Sequence, residues 1–151
     1  LLFLDFDGVL HPTSAPGANP DLCFSRVADL AEAFGEADAA DASAGARDCQ
    51  IVITSSWRHD YEMPALLAHF PPALRQRIIG ATGLPVIGRW ARYEEIRAFL
   101  RDAAPLAQWR ALDDSFNEFP PGCPELIRCD PNTGLAAAQV RMLKRWLASS
   151  I

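Results

Sequence analysis

Leu1-Leu2-Phe3-Leu4-Asp5-Phe6-Asp7-Gly8-Val9-Leu10 opens the chain: four large apolar residues, two aspartates one residue apart, then a glycine. Four apolar residues without alternation fit a strand buried on both faces, as in a parallel sheet covered by helices. Carboxylates at the carboxyl end of such a strand stand where open α/β sheets bind their ligands. The two-residue period of a strand puts Asp5 and Asp7 on the same side, and Gly8 lets the chain turn away. The plainer alternative is an aspartate-rich turn with no chemistry, since aspartate is common in turns. The other strand ends decide between the two.

Ile51-Val52-Ile53 reads as a second buried strand, ending in Thr54-Ser55-Ser56-Trp57-Arg58. Trp109 to Leu112 reads as a third, ending in Asp113-Asp114-Ser115, and Leu126-Ile127-Arg128-Cys129 as a fourth. Ile78-Ile79 is a candidate short strand before Gly80. Between them, Phe24, Val27, Ala28, Ala31 and Phe34 recur at helical spacing, with Gly35 as the expected stop. A helix is expected from near Asp60 to Phe70, broken by Pro71-Pro72. Tyr93, Ile96, Phe99 and Leu100 mark another, broken near Pro105. Asn132 or Thr133 would cap a last helix with Ala136, Val140, Leu143 and Leu147 on its inner stripe. Residues 11–22 and 81–91 read as loops, the first a flap, and residues 36–48 as a mobile insertion rich in alanine and aspartate. Strands alternating with helices predict an α/β fold: a three-layer, Rossmann-like, doubly wound, mainly parallel sheet, in one domain over residues 1–151.

Three strands therefore end in polar clusters: Asp5/Asp7, Thr54/Ser55 and Asp113/Asp114. In a parallel sheet these ends share one edge, so groups far apart in sequence converge. Four nearby carboxylates repel one another unless a cation offsets their charge. A dense set of hard oxygen ligands favours Mg2+, which keeps several waters and often bridges to a substrate phosphate. A phosphoryl group held there, beside a carboxylate, invites attack through an aspartyl-phosphate.

These motifs resemble those of the haloacid dehalogenase-like (HAD) hydrolase superfamily. The resemblance implies that Asp5 attacks phosphorus, while Asp7 protonates the leaving oxygen and later activates water. It also implies that the Asp7 backbone carbonyl helps Asp5, Asp114 and Asp113 hold magnesium, with Asp114 direct and Asp113 direct or through water. Thr54 would bind a phosphoryl oxygen, with Ser55 as the alternative, and Gly8 would lie against the substrate. The superfamily's third motif is normally a lysine before the helix that precedes the last acidic strand. Gly88-Arg89-Trp90-Ala91-Arg92-Tyr93-Glu94-Glu95-Ile96 has none. Arg92 is the first candidate for that charge and Arg89 the second. The plainer alternative for both is a solvated charge at a helix start.

Asp7 separates this chain from dehalogenases and P-type ATPases, which resemble the motif but lack that second acid. The chain has little room for a cap, so phosphomutase chemistry is disfavoured and an open site is implied. Together with Arg92-Tyr93-Glu94-Glu95-Ile96, Trp109 to Asp114 and Gly134-Leu135, the motifs are most similar to the HAD domain of Swiss-army-knife RNA repair proteins. The implied substrate is a phosphorylated RNA or DNA end or another bulky phosphate. A small-metabolite or nucleotide phosphatase is a second reading, and a non-catalytic module with the same fold a third.

Composition sets the outer limits. The chain has 151 residues, half of them apolar, enough for one core. Its net charge of −5 argues against tight non-specific nucleic-acid binding. Residues 51–110, however, hold eight bases against five acids and could offer a positive rim to a phosphorylated substrate. Thirteen of the fourteen bases are arginine, which suits phosphate but also follows from a GC-rich genome. Cys23, Cys49, Cys123 and Cys129 show no metal or disulfide spacing and read as thiols of a reducing, cytoplasmic compartment. The first apolar run is too short to span a membrane, and no secretory leader precedes it. The lack of an initial methionine reads as an excised domain or a trimmed chain. The oligomeric state stays open.

Three residues carry paired readings. Trp57 stacks on a base or packs against the next helix, while Arg58 grips a phosphate. His11, in the flap, touches substrate or is simply exposed. Trp90, Trp109 and Trp146 are expected in the core.

Overall fold

In the computed structural model, Leu2–Leu4 forms β1 at the centre of a five-stranded sheet whose strands all run parallel. The structure describes residues 1–39 and 48–149. The other strands are β2 (Ile51–Ile53), β3 (Ile78–Ala81), β4 (Arg110–Asp113) and β5 (Leu126–Arg128). Their order across the sheet is β3-β2-β1-β4-β5. The chain thus winds outward from β1 to β3, then returns to the other side of β1. This reversal opens the crevice at the β1–β4 boundary where such sheets bind ligands. Leu4 pairs with Ile53 on one side and Leu112 on the other. Asp5, Thr54 and Asp113 therefore follow at the same level.

The helices are α1 (Ala15–Ala18), α2 (Val27–Ala39), α3 (Trp57–Asp60), α4 (Met63–Leu67), α5 (Pro72–Arg75), α6 (Ala91–Ala103) and α7 (Ala137–Ser149). Leu2 and Leu4 point to one face of the sheet, where Leu30, Phe34, Leu143 and Leu147 of α2 and α7 cover them. Phe3 points to the other and packs with Ile96 and Leu100 of α6 and with Trp109. Burial on both faces is why the opening run shows no alternation. The fold is the expected three-layer Rossmann-like α/β arrangement.

Several local expectations need correction. The flap over residues 11–22 contains α1 and a 3₁₀ turn at Pro20–Leu22. Phe24 is not helical but takes a left-handed conformation with φ +60°. α2 begins at Val27 and passes through Gly35 to Ala39. A mid-helix glycine costs roughly 1 kcal/mol; on either side of it Lys144 pairs with Glu32 at 3.2 Å and Glu36 at 2.8 Å. Arg77 anchors Asp38 farther along α2 at 2.7 Å. Residues 36–39 of the expected insertion thus belong to α2, and residues 40–47 lie outside the described residues.

The helix expected over 60–70 is two short ones, α3 and α4, with Tyr61 and Glu62 extended between them. Pro72 opens α5 instead of ending order there, as proline fits a first helical turn. β3 extends through Gly80 to Ala81. β4 lies one residue later than expected, so Asp113 is its last residue. Asn132 and Thr133 do not cap α7, since they lie in the turn that Gly134 closes onto the Asp130 carbonyl at 2.8 Å. Ala136 precedes α7, and its N–H donates to Gln139 Oε1 at 3.3 Å. Trp109 and Trp146 are in the core. Trp90 is not: it is half-buried and left-handed before α6, with φ +57°. All four cysteines are free. Among the described residues, no helix is long and apolar enough to cross a membrane.

Candidate active site

Asp5 leaves the end of β1 with its N–H donated to the Leu112 carbonyl at 3.1 Å, which ties it to β4. Asp113 ends β4 and Asp114 follows it. One carboxylate oxygen from each of Asp5, Asp113 and Asp114 lies within 4.8 Å of the others. Asp5 and Asp113 are buried, and Asp114 is half-buried. Burial pushes the Asp5 carboxyl well above its ordinary range, and the neighbouring Asp113 adds to the rise. Burial likewise pushes Asp113 up to about 6, although Arg92 opposes it. Asp114 is also raised, again by burial first.

Arg92 is the cation that enters this cluster. Its Nε lies 3.3 Å from Asp113 Oδ2 and its Nη2 3.8 Å from Asp5 Oδ1. Nη1 lies 3.9 Å from Glu95 and Nη2 3.9 Å from Glu118. Burial works to lower the Arg92 value, but the surrounding carboxylates outweigh it and the guanidinium stays charged. The first turn of residues 91–103 places it there, at the start of α6 as expected. Arg89 is exposed and lies over the Trp90 ring, 5.6 Å from its centroid.

One arginine does not satisfy the cluster. Arg92 Nε and Nη1 and Asp113 Oδ2 are buried without a hydrogen-bond partner. A buried carboxylate oxygen held only by an ion pair, beside two further carboxylates, fits a hard divalent cation, and guanidinium N–H groups without a hydrogen bond fit an oxyanion. Asp5, Asp113 and Asp114 are the residues that could hold such a cation. The Asp7 carboxylate is not among them.

Asp7 is turned to a different set of partners. His11 Nε2 lies 2.7 Å from Asp7 Oδ1, and the Trp57 indole N–H donates to Oδ2 at 3.1 Å. The His11 hydrogen bond is the main reason that the Asp7 carboxyl lies below its ordinary range; burial opposes it and the indole assists. His11 is fully buried, so the exposed flap histidine expected from the sequence is corrected. Trp57 packs among Phe6, Phe24 and His11, none of them in a helix, and its indole N–H also reaches Asp7. Tyr61 lies over it at 5.2 Å and a 30° tilt, half exposed.

Thr54 and Ser55 are both buried at the end of β2. The Ser55 hydroxyl oxygen accepts the Trp57 backbone N–H at 3.2 Å, which leaves Thr54 as the less engaged hydroxyl. Arg58 does not face the site. Its Nε donates to the Thr82 and Gly83 carbonyls, Nη1 to those of Thr54 and Ser55, and Nη2 to Glu95 at 2.9 Å. It braces the loop that carries Thr54, so the phosphate-gripping role expected for it is replaced by a scaffolding one. Its partner Glu95 also accepts the Val86 N–H at 3.2 Å and was not singled out from the sequence. A glutamate inside an amphipathic helix gives no sign of burial until its arginine is placed. Thr13, also missed, donates to Asp114 Oδ2 at 3.2 Å.

Gly8 has φ +74°, and a Cβ there would overlap the Asp114 carboxylate. Gly134, also at φ +74°, lets Leu135 donate to the Val9 carbonyl at 2.7 Å, docking the turn before α7 onto the first motif.

The family described as the HAD domain in Swiss Army Knife RNA repair proteins matches residues 1–140. The chain belongs to this family. This HAD domain has no match among curated proteins or among solved structures. Membership supports a hydrolase, generally of the phosphatase type, and HAD domains generally use magnesium. The acidic cluster of this HAD domain is compatible with that metal.

Proposed function

We propose that this HAD domain is a magnesium-dependent phosphatase that removes a phosphoryl group from a nucleic-acid end by way of Asp5. The observation that carries the reading is the convergence of Asp5, Asp113 and Asp114 around the partly unpartnered guanidinium of Arg92. Magnesium would be held by Asp5, Asp113, Asp114 and the Asp7 backbone carbonyl, and supplies charge to orient the phosphoryl group and offset its negative charge.

The chain's own groups account for the rest. An Asp5 carboxylate oxygen attacks phosphorus, the bond to the leaving oxygen breaks, and Asp7 gives that oxygen a proton. Water then attacks the phosphorus of the Asp5 acyl phosphate, Asp7 takes its proton, and inorganic phosphate leaves with Asp5 restored. The lowered Asp7 value favours this second, water-activating half of its work. Arg92 directs N–H groups toward the phosphoryl oxygens and favours the ionised form of Asp5, which burial and Asp113 oppose. In this reading the Thr54 hydroxyl donates to a phosphoryl oxygen.

Two features support a nucleic-acid end. The segment between β1 and α2 carries only α1 and one 3₁₀ turn, leaving the Asp7 side open to a large body. Tyr61, tilted over the indole that holds Asp7, presents an exposed ring on which a terminal base can stack. The family's description as RNA repair proteins agrees with such a substrate.

The test is phosphate release from an aryl phosphate, with and without magnesium, followed by end-phosphorylated RNA against the matching mononucleotide. Magnesium-dependent release that Asp5→Asn abolishes is expected, with the RNA end preferred. Release no greater than that of Asp5→Asn across the panel would sink the catalytic reading. Preference for the mononucleotide would shift the substrate to small nucleotides.

A further inference from the structure

Asp7 is held from both sides by donors that come from outside its own motif. Its Oδ1 faces His11 Nε2 at 2.7 Å, and its Oδ2 accepts the Trp57 indole N–H at 3.1 Å. The ring of His11 is fully buried and can take only one useful orientation. Its Nδ1 accepts the backbone N–H of Phe24 at 3.1 Å. A ring nitrogen that accepts carries no hydrogen, so the hydrogen is on Nε2 and is donated to Asp7.

Phe24 supplies that N–H from a left-handed backbone at φ +60°. Non-glycine residues rarely adopt this conformation, and it persists where the surroundings enforce it. Here the Phe24 ring stacks on His69 at 3.8 Å and meets the edges of Phe6 and Trp57. The same aromatic cluster thus aims the Phe24 N–H at His11 and the indole N–H at Asp7.

From this geometry we infer that His11 and Trp57 are positioning residues, a two-donor clamp that fixes the Asp7 carboxylate for its proton transfers. The inference rests on the phosphatase reading above. A carboxylate has about four lone-pair sites, so two donors leave a free site on each oxygen. The Asp7 side chain is 36% exposed, so those sites remain reachable by a leaving oxygen or a water. Without the clamp, Asp7 can rotate about its side-chain bonds, and the water in the second step loses its aligned acceptor. The Asp5 acyl phosphate then persists, because its P–O bond breaks only when water attacks and gives up its proton. An aryl phosphate needs little help to release phenolate, so its first step suffers less than its second.

The experiment measures kcat, KM and the fraction of enzyme trapped as phosphoenzyme by acid quench, on an aryl phosphate. Trp57→Phe keeps a ring and removes the N–H; His11→Leu removes the other donor; His11→Gln keeps an N–H near the Nε2 position. Trp57→Phe and His11→Leu should each lower kcat by about tenfold or more, within the range of general acid–base contributions. KM should not rise, and the trapped fraction should increase. His11→Gln should recover most of the rate. If His11→Leu fails to fold, Trp57→Phe decides. Parent kcat and trapped fraction in Trp57→Phe would overturn the inference, as would a loss without phosphoenzyme accumulation. A parent enzyme with no turnover would remove the phosphatase reading itself, a result distinct from an active parent with indifferent variants.

Discussion

Gly8 and Asp114 approach so closely that a Cβ on Gly8 would lie 2.1 Å from Asp114 Oδ2. The left-handed backbone of Gly8 and this contact make the same demand, so the first motif and the last acidic strand specify each other. Gly8→Ala has to displace Asp114, and a left-handed alanine adds roughly 1–2 kcal/mol of strain. The variant should melt at a lower temperature and lose the added stability that magnesium gives the parent. Calorimetry with and without magnesium checks both. An unchanged magnesium response would mean that Asp114 is not needed for binding.

Arg92 lies 3.8 Å from Asp5 and 3.3 Å from Asp113. Arg92→Ala removes the only guanidinium paired with Asp5 among the described contacts and should lower kcat by about two orders of magnitude. Arg92→Lys retains a charge but not the planar fork, so it should fall between the two. Steady-state rates on an aryl phosphate decide. Parent activity in Arg92→Ala would remove Arg92 from the machinery.

The acidic cluster predicts a pH-dependent metal response. Asp5, Asp113 and Asp114 have folded values above their unfolded ones. Without metal, their contribution to stability is fully present below the unfolded carboxylate range. It is lost as pH rises through the folded values, about 6 for Asp113. Asp7, with a lowered value, contributes in the opposite sense, its share being lost as pH falls. A divalent cation competes with protons for the cluster, so magnesium should raise the melting temperature more at about pH 8 than at about pH 5. Thermal melts with magnesium and chelator at both values test this, and equal shifts would count against metal binding at these carboxylates.

Tyr61 should mark the substrate. Tyr61→Ala should cost about tenfold or more in kcat/KM on a phosphorylated RNA end, the scale of one base–aromatic stack. Tyr61→Phe should cost little, and glycerol phosphate should be hydrolysed equally by all three proteins. An equal loss on both substrates would mean that Tyr61 supports the fold and not the nucleic acid.

The residues legible in the sequence were those whose position follows from strand ends. Leu2, Phe3 and Leu4 are apolar together because α2 and α7 cover one face of β1 and α6 the other. Asp5, Thr54 and Asp113 follow from that, since parallel pairing brings their strand ends level. What stayed hidden depends on contacts between distant segments. Trp57 reaches Asp7 across fifty positions, and nothing in Trp57-Arg58 distinguishes an indole on a carboxylate from one in a core. Arg58 resembles a phosphate ligand by its place after Thr54-Ser55, whereas in the fold its guanidinium is engaged by the backbone carbonyls around it. His11 was read by its loop. The spacing from Asp7, four residues, was the available clue, because the Gly8 N–H donates to the His11 carbonyl at 2.9 Å and folds the loop back.

The central claim is that Asp5 carries the phosphoryl group. The most direct measurement is acid quench of the enzyme during turnover of a labelled aryl phosphate with magnesium, followed by peptide mapping of the label. The account predicts a base-labile phosphate on the peptide containing Asp5, absent from Asp5→Asn. Turnover at parent rates by Asp5→Asn, or a label on any other residue, would contradict it.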